Sequence, residues 1–427
     1  MPSWPTLPNL SRTYHDPLHG AIALDRSDPV EWLLIQLIDT PALQRLRRIR
    51  QLGPASLTFH GAESSRFTHS LGVMAIARRA FDHLANRYHE LRPHRAAVLC
   101  AALLHDVGHG PFSHTSEEIF GCHHEAWTMR ILNESPSVRH LLDAFDPTLI
   151  QQLEQIYSKQ HPIPCIWQLV SSQLDCDRLD YLMRDSYMTG ASYGSLDIDR
   201  ILLALDYDPV SQQLIVQRKG MAAIEHYLIV RYFMYAQVYN HPKNLAATWV
   251  LQQAMDRARQ QSSLTADDTV TAWLHHVDHL TLEQYLAADD GVFLYHLQRW
   301  QQHPDPVLAD LCRRFIHRDL LKTQDLTAYS PKEQQAILTA VHQQLEQAGW
   351  ASQCYAGLRT TVSRGYTLYQ RGIQIQTADG LRDISDLSPL VTTLAQDVPR
   401  HWLIYPREVD ITPSVAAARC TSSKSQI

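Results

Sequence analysis

Three histidines and one aspartate lie within the ten residues HDVGHGPFSH, at positions 105–114. Imidazole and carboxylate groups together suit zinc, manganese, iron or cobalt better than calcium. The apolar stretch 96–104 directly precedes His105 and Asp106, and it predicts a helix that is buried on all sides. Because adjacent side chains on a helix point about 100° apart, both residues can reach an ion that lies between them.

Two other predicted helices carry further ligand types. His69 opens one of them, in RFTHSLGV, and Asp177 lies on the other, in LDCDRLDYLMRD. On the second helix, Asp177, Tyr181 and Asp185 follow at four-residue intervals and therefore share one face. Each piece alone also fits a structural role, since a histidine at a helix end is more often a cap and glycines commonly end helices. The combination, in this order along the chain, favours a metal site.

The bulk composition excludes several classes of protein. The 427 residues are 45% hydrophobic and 19% charged, which is a globular composition. The longest apolar run, 96–104, is too short for a membrane span, which needs about 20 residues, and the first residues lack the apolar core of an export signal. We therefore expect a soluble, cytoplasmic protein. Seven dispersed cysteines indicate reduced thiols, and the net charge of −6 argues against an extensive nucleic-acid-binding surface.

The helix and strand patterns predict a mainly α fold, with a helical catalytic core and a small C-terminal α+β subdomain. A turn and a short strand are expected at 14–25. Strand-like alternation returns at 360–377 and at 401–406, on either side of a short helix near 389–396. The predicted divisions are the core with its N-terminal strand and turn at 1–250, a helical extension at 251–350, the α+β subdomain at 351–412 and a flexible tail at 413–427.

Within the core, several helices are expected to position the reactive residues. Thr40-Pro41 is typical of a helix start, and that helix is predicted to continue to Gly53-Pro54. Further helices are predicted over 67–88, over 164–186 and, rich in aromatic residues, over 221–240.

The motifs resemble, in collinear order, those of the HD superfamily of metal-dependent phosphohydrolases. Within it they look most like the deoxynucleoside triphosphate triphosphohydrolases, in the branch of the vertebrate sterile-α-motif/HD-domain enzyme and its bacterial relatives. The resemblance covers residues 12 to about 243, a little over half the chain. The matching segments are DPLHG (16–20), IDTPALQRLRRIRQLG (38–53), RFTHSLGV (66–73), LLHDVGHGPFSH (103–114), HE (124–125) and DCDRLDYLMRD (175–185).

This resemblance implies an HD-domain helical core and hydrolysis of a dNTP to the deoxynucleoside and inorganic triphosphate. Water attacks the α-phosphorus in that reaction, and the 5′ oxygen leaves. The metal ligands of the family match His69, His105, Asp106 and Asp177, which implies a bound divalent ion: manganese, iron, zinc, magnesium or cobalt.

Other catalytic positions of the family match three histidines and a glutamate. We expect His114 to protonate the leaving oxygen, because an imidazole has a pKa near neutrality. Glu125 is expected to orient the neighbouring His124. The full set of matching catalytic positions is His109, His114, His124 and Glu125.

The substrate positions of the family match arginines for the triphosphate and aromatic or polar groups for the nucleoside. Tyr181 and Asp185 match the residues that contact the deoxyribose, and a ring packed against C2′ would leave no room for a 2′-hydroxyl. Arg178 stands where the vertebrate enzyme has lysine. The full set is Gln51, Arg66, Arg178, Tyr181, Asp185, Arg231, Tyr239 and His241.

A second constellation aligns with the guanine-nucleotide activator pocket of the allosteric family members. It consists of Arg12, Asp39, Gln44 and Arg47. A carboxylate can accept hydrogen bonds from N1–H and the 2-amino group of guanine, and an arginine can bind O6 or N7. The resemblance implies activation by GTP or dGTP, coupled to assembly of a homo-oligomer, either a dimer or a tetramer. Alternatively, the residues around Asp39 form only a helix start, and RLRRIR (45–50) is a solvated basic face.

Two other function classes stay open. One is a different HD phosphohydrolase, acting on nucleoside monophosphates, cyclic dinucleotides or guanosine tetraphosphate. The segment HDVGHG lacks the HDxxED pattern typical of the alarmone hydrolases, and the chain has no GYP motif of the cyclic-di-GMP class. The other is a non-catalytic nucleotide sensor.

Overall fold

The computed structural model describes residues 11–367, 372–413 and 415 of the chain. It is mainly helical with small peripheral sheets, so the predicted fold class is confirmed. The expected tail at 413–427 lies largely outside the described residues. At the N-terminus, where a turn and one strand were predicted, two strands pair antiparallel as a hairpin: β1 (Ser11–Asp16) and β2 (Gly20–Asp25).

The first hydrophobic core is built around a central buried helix. Every side chain of this helix from Ala97 to Leu104 is at most 1% exposed, as its continuous apolar sequence predicts. The helices of this part are α1 (Pro29–Ile38), α2 (Pro41–Arg45), α3 (Arg66–Arg87), α4 (Arg95–Leu104), α5 (His114–Phe120), α6 (His124–Glu134), α7 (Pro136–Phe145), α8 (Leu149–Tyr157), α9 (Pro164–Gln168), α10 (Cys176–Thr189), α11 (Ile198–Ala204) and α12 (Met221–Met234).

A second hydrophobic core forms from the helices that follow, together with a few residues of the first part such as Phe112 and Trp127. A hairpin, β3 (Leu205–Asp208) and β4 (Gln213–Gln217), precedes α12. The later helices are α13 (Pro242–Arg259), α14 (Asp268–His275), α15 (Leu282–Ala287), α16 (Asp290–Trp300), α17 (Pro306–Ile316), α18 (Pro331–Gln347) and α19 (Ser352–Tyr355).

The C-terminal strands are shared between the two cores. The strands are β5 (Lys322–Asp325), β6 (Gly357–Ser363), β7 (Gln374–Thr377), β8 (Gly380–Asp383) and β9 (Val398–Tyr405). One sheet has the order β3-β4-β7-β8 and lies against the first core, and the other has the order β5-β9-β6 and lies against the second. The residues 351–412, expected as one α+β subdomain, therefore contribute to both. Besides α19 and the strands β6 to β9, they contain the short helices α20 (Ile384–Leu387) and α21 (Pro389–Leu394).

Three predicted helices differ in detail from their sequence patterns: one ends early, one is interrupted and one changes its helical type. The helix after Thr40 ends at Arg45, and a 3-10 turn follows, because Arg50 pairs with Ser65 and so turns the chain into an extended path. The helix expected over 164–186 is interrupted between α9 and α10, where the Asp175 carboxylate caps α10 by accepting from the Arg178 amide at 2.7 Å. The helix over 221–240 continues from Tyr235 as a π-turn.

A buried ionic network fastens the N-terminal hairpin to α10. The Arg184 guanidinium, 1% exposed, donates to Asp16 at 2.8 Å and to both carboxylate oxygens of Asp180 at 2.8 and 3.0 Å. His19, in the hairpin turn, contacts the same Asp180 carboxylate at 2.5 Å. Both carboxylates are nearly inaccessible to water, so each depends on this arginine for compensation of its charge.

We expect Arg184→Met to lower the free energy of unfolding by about 3–5 kcal/mol, because it removes the guanidinium that pairs with two buried carboxylates. Urea denaturation monitored by circular dichroism measures this. Arg139→Met is the matched control, since Arg139 pairs with Asp143 at the surface and should contribute at most about 1 kcal/mol. Equal stability of the two variants would contradict the assignment.

Candidate active site

Four side chains from three helices meet at one point. His69 comes from α3, His105 and Asp106 follow α4, and Asp177 lies in the first turn of α10. The Nε2 atom of His69 lies 3.2 Å from Nε2 of His105, 3.1 Å from Asp177 Oδ1 and 3.5 Å from Asp106 Oδ2. Ligands about 2.1 Å from one ion lie about 3 Å apart when adjacent, so these distances suit a shared metal.

Hydrogen bonds at Nδ1 of the two histidines leave the Nε2 atom of each ring facing the other ring. His69 Nδ1 donates to the Asp180 carboxylate at 2.8 Å, and His105 Nδ1 donates to the Ala102 carbonyl at 2.9 Å. In the neutral rings that a metal site requires, both Nε2 atoms are therefore unprotonated and face two carboxylates. Burial would lower the pKa of His69, but its hydrogen bonds to Asp177 and Asp180 outweigh this and raise that pKa to about 10. The cluster thus requires positive charge, and its donor set fits a divalent ion.

A tight turn follows His105 and Asp106, the two candidate ligands at the end of α4. A β-carbon on Gly108 would lie 2.2 Å from the His124 carbonyl oxygen and 2.3 Å from the Thr128 amide nitrogen, so only glycine fits there. This close approach of α6 brings His124 beside the turn. The His109 and His124 rings stack with centroids 3.9 Å apart and planes 11° apart.

Glu117, on α5, lies at the centre of the histidine cluster. Its carboxylate accepts a short hydrogen bond from His124 Nδ1 and lies 3.4 Å from Nδ1 of His114. Burial would raise the pKa of Glu117, but the contacts with His114 and His124 hold that pKa well below its usual value. Donor atoms of His109, His114, Glu117 and His124 all lie within 4.8 Å of one another, so this group could also hold a cation.

The contact with Glu117 corrects the expectation that Glu125 orients His124. Glu125 is exposed at the start of α6 and lies at the cavity, while the His124 ring points back to α5. The signal that could have identified Glu117 is its position three residues after His114, one turn along the same helix.

A cavity of about 440 Å³ opens directly above the metal-ligand cluster. Among the described residues, it is lined by most of the predicted substrate positions, but Arg231 and His241 are not in its lining. The predicted residues that line it are Gln51, Arg66, Arg178, Tyr181, Asp185 and Tyr239, together with His105, Asp106, His109, His114, His124, Glu125 and Asp177.

The three predicted phosphate-binding arginines each have a partner in the protein. Arg66 pairs with Asp106 and donates to the Ser113 hydroxyl at 2.7 Å, so it is tied to the metal-ligand cluster. Arg178 pairs with Asp175. Arg231 lies behind the cavity wall and donates to Gln173 Oε1 at 2.7 Å. In the described structure, the Nε atoms of Arg178 and Arg231 are buried without a hydrogen-bond partner.

Asp185 and Tyr239 form the opposite end of the cavity. Tyr239 donates its hydroxyl to Asp185 Oδ2 at 2.9 Å, while Oδ1 is buried and has no partner among the described residues. The Tyr181 ring meets the Tyr239 ring edge-on, with centroids 6.0 Å apart. Burial raises the pKa of Asp185 to about 7.

His241 does not face this cavity, contrary to the expected substrate contact. Its Nδ1 accepts from the Lys243 amide at 3.1 Å and caps α13, and its ring packs on Phe59 at 5.4 Å. The sequence HPK suits this capping role, because a proline at the first helical position follows the cap residue.

The predicted activator residues lie together on the surface near Tyr14. Arg12 forms a two-point ion pair with Asp39, one of whose contacts measures 2.8 Å. Arg47 donates to Gln44 Oε1 at 2.7 Å and lies over the Phe67 ring. Each of the four groups therefore has a partner within the chain.

The raised pKa of Asp185 has a measurable consequence for stability. Between about pH 4 and 7 the folded protein keeps a proton on this group that the unfolded chain has lost, so stability falls as pH rises through that window. Asp185→Asn removes this dependence, and its stability relative to the wild type should therefore increase by up to about 4 kcal/mol across the window. Urea denaturation of both proteins at several pH values measures the difference, and a difference that does not vary with pH would contradict it.

None of the described helices combines the length and the apolar character that a membrane crossing requires.

In a comparison with known proteins, the chain matches two family models. The HD domain matches residues 66–180, and the HD associated region matches residues 196–406. The uncharacterized protein YwfO of Bacillus subtilis is 36% identical over 411 residues, which cover 93% of each chain. A crystal structure of a phosphohydrolase from Bacteroides thetaiotaomicron is similar with a TM-score of 0.79 and 30% identity, over 93% of this chain and all of that one.

Deoxynucleoside triphosphate triphosphohydrolases match a smaller part of the chain. The SAMHD1 homolog of Dictyostelium discoideum is 30% identical over 267 residues, 58% of this chain and 50% of that protein. Mouse SAMHD1 is 45% identical over 109 residues, 25% of this chain and 16% of that protein. Together with the Bacillus protein and the Bacteroides structure, each of which covers 93% of the chain, these similarities show that the chain belongs to the HD-domain family of metal-dependent phosphohydrolases.

Proposed function

We propose that this phosphohydrolase cleaves deoxynucleoside triphosphates to the deoxynucleoside and inorganic triphosphate. One observation carries the proposal: a single cavity joins the cluster of His69, His105, Asp106 and Asp177 to a buried aromatic and carboxylate end at Tyr181, Tyr239 and Asp185. The first end suits a phosphate bound at a cation, and the second suits a sugar with few hydroxyl groups. The similarity to SAMHD1 over the HD region supports the same substrate class.

At the phosphate end, His69, His105, Asp106 and Asp177 would hold the divalent ion. A bound ion would supply polarisation of a phosphate oxygen and a lowered pKa for the water that attacks the α-phosphorus. Two carboxylates would balance the charge of the ion, and Arg66 pairs with one of them, Asp106. Arg178 lines the cavity and can turn its unpaired Nε towards the triphosphate.

His114 supplies the proton to the departing 5′ oxygen. Its side chain is 65% exposed, and it borders both the main cavity and the adjoining one, so it reaches the space between phosphate and sugar. Glu117 lies near its Nδ1 and leaves Nε2 free to face the substrate. His109 is buried, and burial together with Arg66 lowers its pKa well below the usual value, so it stays neutral and does not serve as the acid.

The sugar lies between Tyr181 and Asp185. The unpaired Oδ1 of Asp185 accepts the 3′-hydroxyl, and the Tyr181 ring covers C2′, which disfavours a ribonucleotide. A cavity of about 390 Å³ continues from this point and shares Gln51 and Tyr239 with the catalytic cavity, so we assign it to the base.

Regulation by GTP or dGTP is a further part of the proposal. The surface group of Arg12, Asp39, Gln44 and Arg47 has the charges that read a guanine edge, but a nucleotide would have to replace the Arg12–Asp39 ion pair. In this scheme the activator promotes a dimeric or tetrameric assembly of a cytoplasmic enzyme. The scheme fails if neither guanine nucleotide changes the activity or the oligomeric state.

Purified protein with Mn²⁺ should release inorganic triphosphate from dNTPs, and more slowly or not at all from NTPs, since Tyr181 leaves no room at C2′. His114→Ala should keep the metal and lose about 10²-fold or more in turnover, because general acid catalysis contributes about 10²–10⁴-fold. Asp177→Ala, the control, should lose both metal and activity.

Chromatographic analysis of products and metal analysis of the three proteins measure these effects. Phosphate release from nucleoside monophosphates would favour a different HD phosphohydrolase, and binding without turnover would favour a sensor. Full activity of His114→Ala would refute its role as the acid.

A further inference from the structure

The turn that carries the catalytic histidines holds an unfavourable backbone conformation. Phe112 and Ser113 have φ angles of 59° and 58°, although neither is glycine. Residues with a β-carbon avoid this region, and such conformations persist only where their surroundings hold them. His109 lies within the turn Gly108–Ser113 and His114 follows it, so the placement of both imidazoles depends on whatever holds this backbone.

Polar groups of the turn form hydrogen bonds with the segment 285–290, which belongs to the second core. The Tyr285 hydroxyl donates to the Gly108 carbonyl at 2.5 Å, and the Phe112 amide donates to Asp290 Oδ1 at 2.7 Å. Between them, the buried Arg45 donates to the His109 carbonyl and to the Ala288 carbonyl, both at 2.8 Å.

The same segment reaches two other parts of the site. Asp290 Oδ2 accepts from the Arg50 amide at 3.0 Å, directly before Gln51 of the cavity wall. The Tyr285 ring stacks on Trp127, with centroids 3.7 Å apart and planes 9° apart, and Trp127 lies one turn after His124 on α6. Tyr285 is inaccessible to solvent, and Asp290 is 4% exposed.

We propose that the segment 285–290 is the positioning element of the catalytic turn, with Tyr285 and Asp290 as its positioning residues. Neither residue contacts the metal ligands, and neither lines the catalytic cavity in the described structure. They act through the backbone of the turn, on the location of His109 and His114. This gives the HD associated region a part in catalysis and not only in stability.

Loss of a positioning residue and loss of a residue that only stabilises the fold have different effects on the enzyme. If the turn relaxes, the acid moves away from the leaving oxygen while the metal cluster and the sugar end stay in place. Turnover then falls, but KM and metal content do not. Destabilisation alone would lower the fraction of active protein and leave the conformation of the turn unchanged in the molecules that remain folded.

The variants Tyr285→Phe and Asp290→Ala test this proposal in the full chain. Tyr285→Phe removes one hydroxyl and keeps the stacked ring, so it should fold even if Asp290→Ala does not. Tyr355→Phe is the matched control: it is a buried tyrosine of the same core, whose hydroxyl donates to Asp310 at 2.9 Å away from the turn. Asp290→Asn keeps one acceptor and should be intermediate.

We expect kcat for dNTP hydrolysis to fall about 10- to 100-fold in Tyr285→Phe and Asp290→Ala, as small displacements of catalytic groups do, with KM changed by less than about threefold. Hydrogen exchange of the amides at 108–113 should accelerate about tenfold or more, because buried hydrogen bonds of the turn are lost. Metal content should match that of the wild type, and Tyr355→Phe should show neither effect.

The proposal would be overturned if the amides at 108–113 exchanged no faster in Tyr285→Phe and Asp290→Ala than in Tyr355→Phe. A loss of metal in proportion to the loss of activity would also overturn it. The kinetic part rests on the proposed function, but the exchange measurement does not. If the wild type fails to hydrolyse dNTPs, the proposed substrate is wrong, and the exchange rates still decide whether the segment positions the turn.

Discussion

The buried carboxylate of Asp180 is the group on which both the metal cluster and the N-terminal part of the fold depend. It has no exposed surface, and it accepts hydrogen bonds from His69, His19 and Arg184. Burial of an isolated carboxylate in this position would cost several kcal/mol of folding free energy, about the penalty for one buried ion. The fold therefore depends on all three partners. The contact with His69 fixes the tautomer of that ring and leaves its Nε2 for a metal. The contact with His19, and the bond from Arg184 to Asp16, attach the N-terminal hairpin to α10.

A second constraint comes from the far side of the active site. The turn after α4 combines a glycine in close contact with α6 and two strained residues, and its polar groups are bonded to the segment 285–290, which spans the end of α15 and the start of α16. The candidate ligands on α3 and α10 and directly after α4 lie at the first core, whereas the turn with His109 and His114 is also bonded to residues of the second. The proposed catalytic centre therefore lies where residues of the HD domain meet residues of its associated region.

The sequence predicts well those features that depend on local patterns. The continuous apolar run at 96–104 forms the buried helix α4. The cluster of His69, His105, Asp106 and Asp177 is anticipated by their order along the chain and by the family resemblance, and not by local spacing. The identity of these residues as ligands in solution stays a prediction.

Features that depend on distant partners are not predictable in this way. The helix after Thr40 ends early because Arg50 pairs with Ser65, and nothing near Arg50 in the sequence indicates this. Glu117 replaces the predicted Glu125 because α5 and α6 meet in space, and Asp290 contacts Phe112 across 178 positions of sequence. Such contacts follow from tertiary packing, which a single sequence does not reveal.

The most direct test of the central role of Asp180 is the Mn²⁺ affinity of Asp180→Asn, measured by titration calorimetry on protein shown to be folded. The substitution keeps the size of the side chain but removes the charge that fixes His69. The account predicts a loss of about 10- to 100-fold in affinity, as is typical when a carboxylate behind a ligating histidine is changed. Asp143→Asn, at the surface, should bind Mn²⁺ like the wild type. A folded Asp180→Asn protein with unchanged Mn²⁺ affinity would contradict the account.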